Sequence, residues 1–337
     1  MLPAFLGLSG PALTDAERAL VRDADPAGFI LFARNVVDPA QLRALTDSLR
    51  DASGRTNLPI LIDQEGGRVA RLRKPHWPEF PAPWRFAELY EKAPISAIEA
   101  ARVNALAIAI MLTDVGINVD CTPLLDVRHP DAHDIIGDRA LGAEPMRVAA
   151  LGRAVLEGLA AGGVAGVIKH LPGHGRAPAD SHKELPVVDA PTEALATDIA
   201  PFRALAKIAP MAMTAHVLYP AWDSEQPATL SATIIADVIR DEIGFEGLLM
   251  SDDLGMYALP GPLPDRATAA LAAGCDIALH CSGDAADNEA IAGALGPIGK
   301  AAAARLEKAM AGTGTAGPGD FEALAAKRDA LLAYAPA

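Results

Sequence analysis

The segment at residues 169–186, KHLPGHGRAPADSHKELP, concentrates side chains that can bind ligands or transfer protons. It holds three histidines together with Lys, Arg and Asp, and several Gly and Pro residues lie between them. Because Gly and Pro interrupt both helices and strands, the segment is predicted to be a loop. Such a loop fits three roles: a metal site, a polar surface connection, or a catalytic loop.

Ionisable residues also stand at the ends of five short apolar runs. They are Asp63 after PILI, Asp126 after INVDCTPLL, Lys169-His170 after VAGVI, His216 after MAMTA, and Asp252-Asp253 after GLLMS. Taken singly, each has an ordinary structural explanation: the aspartate pair could cap a helix, Asp126 could hold a loop, and His216 could be a core residue. Likewise, Glu65 in the EGG that follows Asp63 could belong to a tight turn. Their recurrence after apolar runs instead predicts one shared site.

The elements that position these residues form a repeating pattern. The strand candidates are Gly28–Phe32, Pro59–Asp63, Ile117–Thr122, Val164–His170, Met211–His216, Gly247–Asp252 and Asp276–Cys281. Most are continuously apolar, which is typical of parallel strands buried on both faces. Helical segments alternate with them and no linker divides the chain, so we predict an α/β fold, a single (β/α)8 barrel, with its chemistry at the carboxyl ends of the strands. An eighth strand is not evident, and closure of the barrel is inferred.

The domain prediction is one catalytic barrel over residues 1–337, with a short helical extension from about residue 318. Capping boxes predict two helix starts: TDAE at Thr14 and SAIE at Ser96, the second helix running to about Asp114. The amphipathic segment 233–243 predicts a further helix that ends at Gly244.

A metal site is the first chemistry to weigh, because His170, His174, Asp180, His182 and His216 are all ligand types. The chain has no HxH pair at an early strand end. The same ends also supply three fixed cations, Arg71, Lys169 and Arg139 (from IIGDRAL), which would oppose a divalent ion. This mixture favours an uncharged, hydroxyl-rich ligand such as a sugar. We expect no metal and no cofactor, and keep a metal-dependent barrel hydrolase as a less favoured alternative.

Nucleophilic catalysis is the second chemistry to weigh. The chain has no GxSxG elbow, no cysteine plausibly paired with a histidine and no Walker loop. What remains is Asp252 at a strand end, facing a loop that carries a proton donor. That combination matches glycoside hydrolysis, in which a carboxylate attacks the anomeric carbon while an acid protonates the leaving oxygen. The acid on offer is His182, and Asp180, two residues earlier, could hold its ring and stabilise its protonated form.

Five strings together resemble one family. They are LIDQEGGRVARL, IIGDRAL, VIKHLPGHGRAPADSHKELP, AHVLYP and GFEGLLMSDDLGM. The sequence resembles the glycoside hydrolase family 3 β-N-acetylhexosaminidases, above all the compact bacterial enzymes of peptidoglycan recycling, from FILFARN at residues 29–35 to AGCDIALHC at 273–281. The family motif has Phe where this chain has Leu171, an apolar change of little consequence. The resemblance implies a (β/α)8 barrel, retention of anomeric configuration and no requirement for metal.

The resemblance also implies roles for individual residues. Asp252 corresponds to the nucleophile, His182 to the general acid/base, and Asp180 to the residue that orients it. The positions that bind the terminal N-acetylglucosamine correspond to Asp63, Arg71, Arg139, Lys169 and His170. The implied reaction releases β-linked N-acetylglucosamine from muropeptides, including the disaccharide that ends in 1,6-anhydro-N-acetylmuramic acid. Because the loop is long and rich in Gly and Pro, we predict that it moves to dock His182 over the sugar.

Two alternatives stay open beside the metal hydrolase. A neutral imidazole repels an anionic acceptor less than a carboxylate does, so phosphate could replace water and make the enzyme a phosphorylase. A non-catalytic sugar-binding protein could also use the barrel, although it would be expected to lack Asp252 or His182.

Composition limits the partners and the compartment. The net charge of −14 over 337 residues argues against a nucleic acid or an anionic membrane as partner. The N-terminal MLPAFLGLSGPALT does not resemble a signal peptide, and the longest apolar run, residues 105–112, is too short to span a bilayer. Three cysteines without CxxC spacing fit a reducing compartment. We expect a cytoplasmic monomer with a muropeptide substrate.

Overall fold

The computed structural model describes residues 1–314 and 319–333, and in it eight parallel strands close into a barrel in chain order. The strands are β1 (Leu2–Gly7), β2 (Pro26–Leu31), β3 (Ile60–Ile62), β4 (Val119–Asp120), β5 (Ala165–Leu171), β6 (Met211–Thr214), β7 (Leu248–Asp253) and β8 (Ile277–His280). The pairing of Ala4 with Ala278 and of Leu6 with His280 joins the first strand to the last. The predicted (β/α)8 barrel is confirmed.

The strand missing from the sequence analysis is the first one, LPAFLG at Leu2–Gly7. All six residues are buried, which is the pattern of a strand covered on both faces. Proline and glycine are rare inside strands, so Pro3 and Gly7 weaken the local signal for a strand here. Pairing on both sides, with β2 and β8, overrides that weak preference.

Helices surround the barrel. They are α1 (Asp15–Ala24), α2 (Pro39–Ser53), α3 (Trp84–Tyr90), α4 (Pro94–Asp114), α5 (Pro145–Ala161), α6 (Thr192–Leu205), α7 (Leu263–Ala273), α8 (Ala285–Ala294), α9 (Lys300–Met310) and α10 (Phe321–Leu332). Short 3₁₀ turns lie at Ala33–Asn35, Gly137–Arg139 and Ala228–Leu230, and a π-helix at Ile234–Glu242 follows β6.

The capping predictions have mixed outcomes. Thr14 caps α1 in a complete capping box, as predicted. The predicted start of α4 is wrong, because the helix begins at Pro94 and Ser96 lies inside its first turn. Proline is well suited to a first helical position, where its missing N–H is not needed. Segment 233–243 is helical, but its central residues wind as a π-helix before Gly244, which has a φ of +73°.

Helix α4 is long and apolar enough to cross a membrane by length and composition, although 67% of that stretch is buried inside the protein. The apolar run at residues 105–112 is therefore part of a longer buried helix. Helix α10 packs on it, with Arg328 Nη1 donating to Asn104 Oδ1 at 3.3 Å. The start predicted for this extension, about residue 318, lies outside the described residues.

The barrel interior is apolar beneath the carboxyl ends of its strands. Phe5, Ile30, Val167, Met250 and Leu279 belong to one buried cluster inside it. Above this cluster the strands end in the ionisable residues found in the sequence. The fold therefore presents those residues on an apolar, closely packed base.

Candidate active site

A cavity of about 390 Å³ opens at the carboxyl ends of the strands. Seven of the predicted site residues line it: Asp63, Arg71, Arg139, Lys169, His170, His182 and Asp252. The eighth, Asp180, does not line the cavity but contacts His182. The structure thus brings the predicted residues together from separate strands and loops, while their roles stay predictions.

One side of the cavity is a chain of alternating charges. Asp63 accepts from Arg71 Nη2 and from Lys169 Nζ, each at 3.0 Å. Lys169 Nζ also forms an ion pair with Glu65, its Nζ lying 2.8 Å from Oε1. Glu65 in turn accepts two hydrogen bonds from Arg139, at 2.9 and 2.8 Å. Five side chains therefore hold one another in a single network.

The network keeps its members ionised despite burial. Burial alone would raise the pKa of Asp63, but Lys169 and Arg71 hold that pKa far below its usual range. Burial alone would lower the pKa of Lys169 and of Arg139, yet the carboxylates beside them raise both. The cavity wall consequently offers fixed charged donors and a fixed carboxylate, which suit the hydroxyl groups of a sugar.

The sequence analysis missed the part that Glu65 plays in this network. The ordinary explanation of EGG is a tight turn, and Gly66 and Gly67 do have φ of +99° and +57°. The side chain of Glu65 is nonetheless completely buried and satisfies two cations. Its partner Arg139 lies 74 residues away, so no local pattern could have indicated the pair.

Asp126 fixes the start of the long loop. Its Oδ2 lies 2.7 Å from His170 Nδ1, and its Oδ1 accepts from the backbone N–H groups of His170 and His174 at 3.2 and 2.6 Å. Burial opposes ionisation, but His170 holds the pKa of Asp126 down to about 2. Nδ1 of His170, which lines the cavity, is thus engaged by Asp126. Asp126 thus holds the loop, in agreement with the structural explanation that the sequence analysis offered for it.

The two adjacent aspartates at the end of β7 differ in their surroundings. Asp253 Oδ1 accepts from the N–H groups of Gly255 and Cys281, at 3.0 and 3.1 Å, and lies 3.5 Å from His280 Nδ1. Asp252 accepts one bond, from the N–H of Asp253 at 2.8 Å. Asp253 is therefore held in the turn, whereas Asp252, which also lines the cavity, is the less engaged of the two carboxylates among the described residues.

His182 stands at the cavity on the far part of the loop. Its side chain is 62% exposed, and Asp180 Oδ1 lies 2.8 Å from its Nδ1 and accepts from its backbone N–H at 3.0 Å. Burial alone would raise the pKa of Asp180, but the hydrogen bonds from His182 hold that pKa below its usual value. An ionised Asp180 favours the tautomer of His182 that carries its proton on Nδ1.

The other histidines have separate surroundings. His216 is fully buried, with Thr229 Oγ1 at 2.7 Å and the Asp253 carbonyl oxygen at 2.9 Å, so it is a satisfied core residue. His174 lines the cavity, where burial and then nearby His170 lower its pKa to about 4. Among residues 1–314 and 319–333, no three His, Cys, Asp or Glu side chains lie in a group that could hold a metal ion.

Comparison with known families decides the assignment. The model of the glycosyl hydrolase family 3 N-terminal domain matches residues 5–311, nearly the whole chain. The chain belongs to glycosyl hydrolase family 3.

Relatives within the family narrow the activity. A beta-hexosaminidase of Alkalilimnicola ehrlichii is 43% identical over 284 residues, covering 83% of this chain and 80% of the relative. A beta-hexosaminidase of Bordetella avium is 40% identical, with the same coverage of both chains. This family 3 protein is a glycoside hydrolase of the β-hexosaminidase type.

Solved structures agree with the fold. NagZ from Neisseria gonorrhoeae, in its native form and in complex with N-trifluoroacetyl-D-glucosamine, superposes with a TM-score of 0.85 at 32% identity. The match covers 98% of this chain and 96% of that one. The barrel of this hydrolase is thus of the NagZ type.

The rim of the hydrolase cavity holds residues that belong to the quoted motifs but have no role assigned from the sequence. Ile135, Ile136 and Arg68 line it from two different loops. Arg68 joins those loops by donating to Asp138 and to the carbonyl of Ile135, at 2.8 and 2.7 Å. Phe32 also lines the cavity, and the Arg71 guanidinium lies 5.1 Å from its ring centre. Apolar rim residues carry no spacing signal, and only the fold collects them.

Proposed function

We propose that this hydrolase is a retaining β-N-acetylglucosaminidase that releases non-reducing terminal N-acetylglucosamine from muropeptides. Its substrates would include the disaccharide with 1,6-anhydro-N-acetylmuramic acid, with or without peptide, and its place would be peptidoglycan recycling. The observation that carries the proposal is one cavity lined by an uncommitted carboxylate, Asp252, and by a carboxylate-held histidine, His182. The names of the relatives point to the same class of sugar.

The sugar would bind against the charged network. Asp63 accepts from sugar hydroxyl groups, while Arg71, Arg139, Lys169 and His170 donate to hydroxyl or carbonyl oxygens. These donors are already oriented by one another and by Asp126, so binding requires little reordering of the protein.

The reaction then proceeds by double displacement. In the first step, His182 donates a proton to the glycosidic oxygen while Asp252 attacks the anomeric carbon to form a glycosyl-enzyme. In the second step, neutral His182 takes a proton from water, which attacks the same carbon and frees Asp252. Asp180 keeps the proton on Nδ1, so that Nε2 serves both steps.

Several broader features belong to the same proposal. The whole chain would act as one catalytic domain, in the cytoplasm, as a monomer and without a cofactor. The exposed His182 would approach the bound sugar by movement of its loop.

The test is hydrolysis of the anhydromuramyl disaccharide with the anomer of the released sugar followed by NMR. The β anomer is expected first, and initial release of the α anomer would contradict a double displacement. Asp252→Ala should abolish turnover and His182→Ala should reduce it by two orders of magnitude or more, since general acid–base catalysis contributes about 10²–10⁴-fold. His76→Ala, which changes an exposed histidine outside the cavity, is the matched control and should keep full activity.

The alternatives have their own readouts. A mechanism-based fluorosugar should label Asp252, and labelling elsewhere would move the nucleophile. Formation of a sugar phosphate in phosphate buffer would instead indicate the phosphorylase. Loss of activity with a chelator, restored by a divalent ion, would indicate the metal hydrolase.

A further inference from the structure

The loop that carries His182 is attached firmly in its first part. The Tyr219 hydroxyl donates to the Gly173 carbonyl at 2.8 Å, and the His133 N–H donates to the Ala177 carbonyl at 2.9 Å. A Cβ on Gly175 would lie 1.9 Å from the Val127 carbonyl oxygen, so the backbone there is pressed against the preceding loop. Residues 173–177 are therefore part of the barrel's rigid frame.

The following residues, 178–185, which we name the tip segment, are attached differently. Within the described part of the chain, they hydrogen-bond only to one another, apart from a 3.2 Å contact of Ser181 Oγ with His174 Nε2. The chain is fixed again after them, where the Leu218 N–H donates to the Pro186 carbonyl at 2.9 Å. The tip segment is thus suspended between two fixed ends, and it carries both Asp180 and His182.

The side chain that fixes the nearer end is Arg176. Its Nε donates to Asp198 Oδ2 at 2.5 Å, and its Nη2 donates to the Ala194 carbonyl at 3.1 Å. Asp198, on α6, is only 2% exposed, and its other oxygen lies 3.1 Å from His129 Nε2. One buried carboxylate therefore joins this loop and the loop after β4 to the same helix.

We propose that Arg176 is a positioning residue which, through the buried carboxylate of Asp198, fixes where the tip segment begins and hence where the ring of His182 reaches. The inference rests on the proposed role of His182 as general acid/base. A proton donor has to come within hydrogen-bond reach of the leaving oxygen, and a misplacement of 1 Å can cost about 100-fold in rate. Removing one attachment at the end of a suspended segment widens the positions its middle samples, even though the backbone contacts of residues 173–177 remain.

The role predicts a specific kinetic signature. A dinitrophenolate leaves without needing a proton, whereas a phenolate leaves slowly unless an acid protonates it. A misplaced acid therefore slows the phenyl glycoside far more than the dinitrophenyl glycoside. A loss of folded protein would slow both substrates equally.

The experiment measures kcat/KM of Arg176→Ala on phenyl and 2,4-dinitrophenyl β-N-acetylglucosaminides, because this ratio reports the step in which the proton is donated. We expect a loss of at least tenfold on the phenyl glycoside and of less than threefold on the dinitrophenyl glycoside. Equal losses on both substrates, or no loss on either, would overturn the proposal. Arg203→Ala is the control: Arg203 lies on α6, the helix that carries Asp198, and its exposed ion pair is with Glu242. This substitution should change kcat/KM on neither substrate.

Two further variants keep the result interpretable. If Arg176→Ala does not fold, Arg176→Lys is used instead, because it keeps a cation beside Asp198 but replaces the two-point contact. Its loss of kcat/KM should be smaller and should again be greater on the phenyl glycoside. An equal loss on both substrates would refute the role. His182→Ala is measured in parallel. If His182→Ala loses far more kcat/KM on the phenyl than on the dinitrophenyl glycoside and the Arg176 variants do not, only this inference fails. If His182→Ala loses the same on both substrates, the proposed function fails and this inference fails with it.

Discussion

A buried aspartate beneath the cavity gives the sharpest prediction about stability. Asp120 ends β4 and is completely buried. Its Oδ1 accepts from the Gln64 N–H at 2.9 Å, while its Oδ2 is buried without a hydrogen-bond partner among the described residues. Burial raises the pKa of Asp120 to about 8, even though the Gln64 N–H and the charge of Lys169 act in the opposite direction. The native protein therefore holds a proton on Asp120 at neutral pH.

The consequence for stability follows from proton linkage. In the unfolded chain this carboxyl has its ordinary pKa of 3.8, so it releases its proton at a pH where the native protein still binds one. The contribution of Asp120 to stability is fully present below the unfolded value and is lost as the pH rises towards 8. The loss between the two pKa values is about 1.4 kcal/mol for each pH unit, or about 2.7 kcal/mol from pH 5 to pH 7.

The perturbation that isolates this contribution is Asp120→Asn. The amide oxygen can still accept from the Gln64 N–H, but the side chain no longer titrates. Urea unfolding at pH 5, 6 and 7 gives the free energy of unfolding of each protein, and all other titrating groups cancel in the difference. We expect the difference in free energy of unfolding, variant minus wild type, to increase by about 1.4 kcal/mol with each added pH unit.

If the free energies of unfolding of the wild type and of Asp120→Asn changed in parallel with pH, separated by a constant offset, this reasoning would be refuted. Such a result would mean that Asp120 is ionised in the native protein. Asp114→Asn, at the exposed end of α4, is the control and should give parallel profiles.

Two further substitutions test the site. Glu65→Gln leaves Arg139 and Lys169 short of a buried countercharge, so we expect a loss of about 3–5 kcal/mol in urea unfolding and a higher KM. Gly175→Ala places a Cβ against the Val127 carbonyl, and we expect about 1–3 kcal/mol of destabilisation together with a lower kcat, measured on an aryl N-acetylglucosaminide.

Both substitutions have matched controls. Glu79→Gln removes an exposed partner of Lys74 and should cost no more than about 1 kcal/mol. Gly10→Ala adds a Cβ where nothing lies within 4 Å and should leave kcat unchanged. A Glu65→Gln protein as stable as its control would show that the buried network is not needed for folding, and a fully active Gly175→Ala protein would show that the loop has room to shift.

The strand ends were the most predictable part of the site. Parallel strands of a barrel place their carboxyl ends on one face, so residue types at those ends, such as Asp63, Lys169 and Asp252, could be grouped without knowing any distance. The same logic collected His216, which the structure places in the core instead. Position along a strand predicts the face of the barrel, but it does not predict whether a side chain points into the cavity.

The partnerships within the site were beyond the reach of sequence. Glu65 and Arg139 meet only because two loops fold over the same strands, and the elevated pKa of Asp120 depends on burial that tertiary packing creates. Local signals also failed where packing outweighs them. Ser96 has a good capping motif, yet α4 starts earlier at Pro94, and β1 forms in spite of Pro3.

The pairing of β1 with β8 has a consequence for how the chain reaches this structure. The two strands are about 270 residues apart, so the barrel closes only after nearly the whole chain is available. Until then the hydrogen-bonding edge of β1 that later meets β8 stays open, and open strand edges are where partly folded chains associate. Growth temperature and chaperone supply are therefore expected to affect the yield of soluble enzyme.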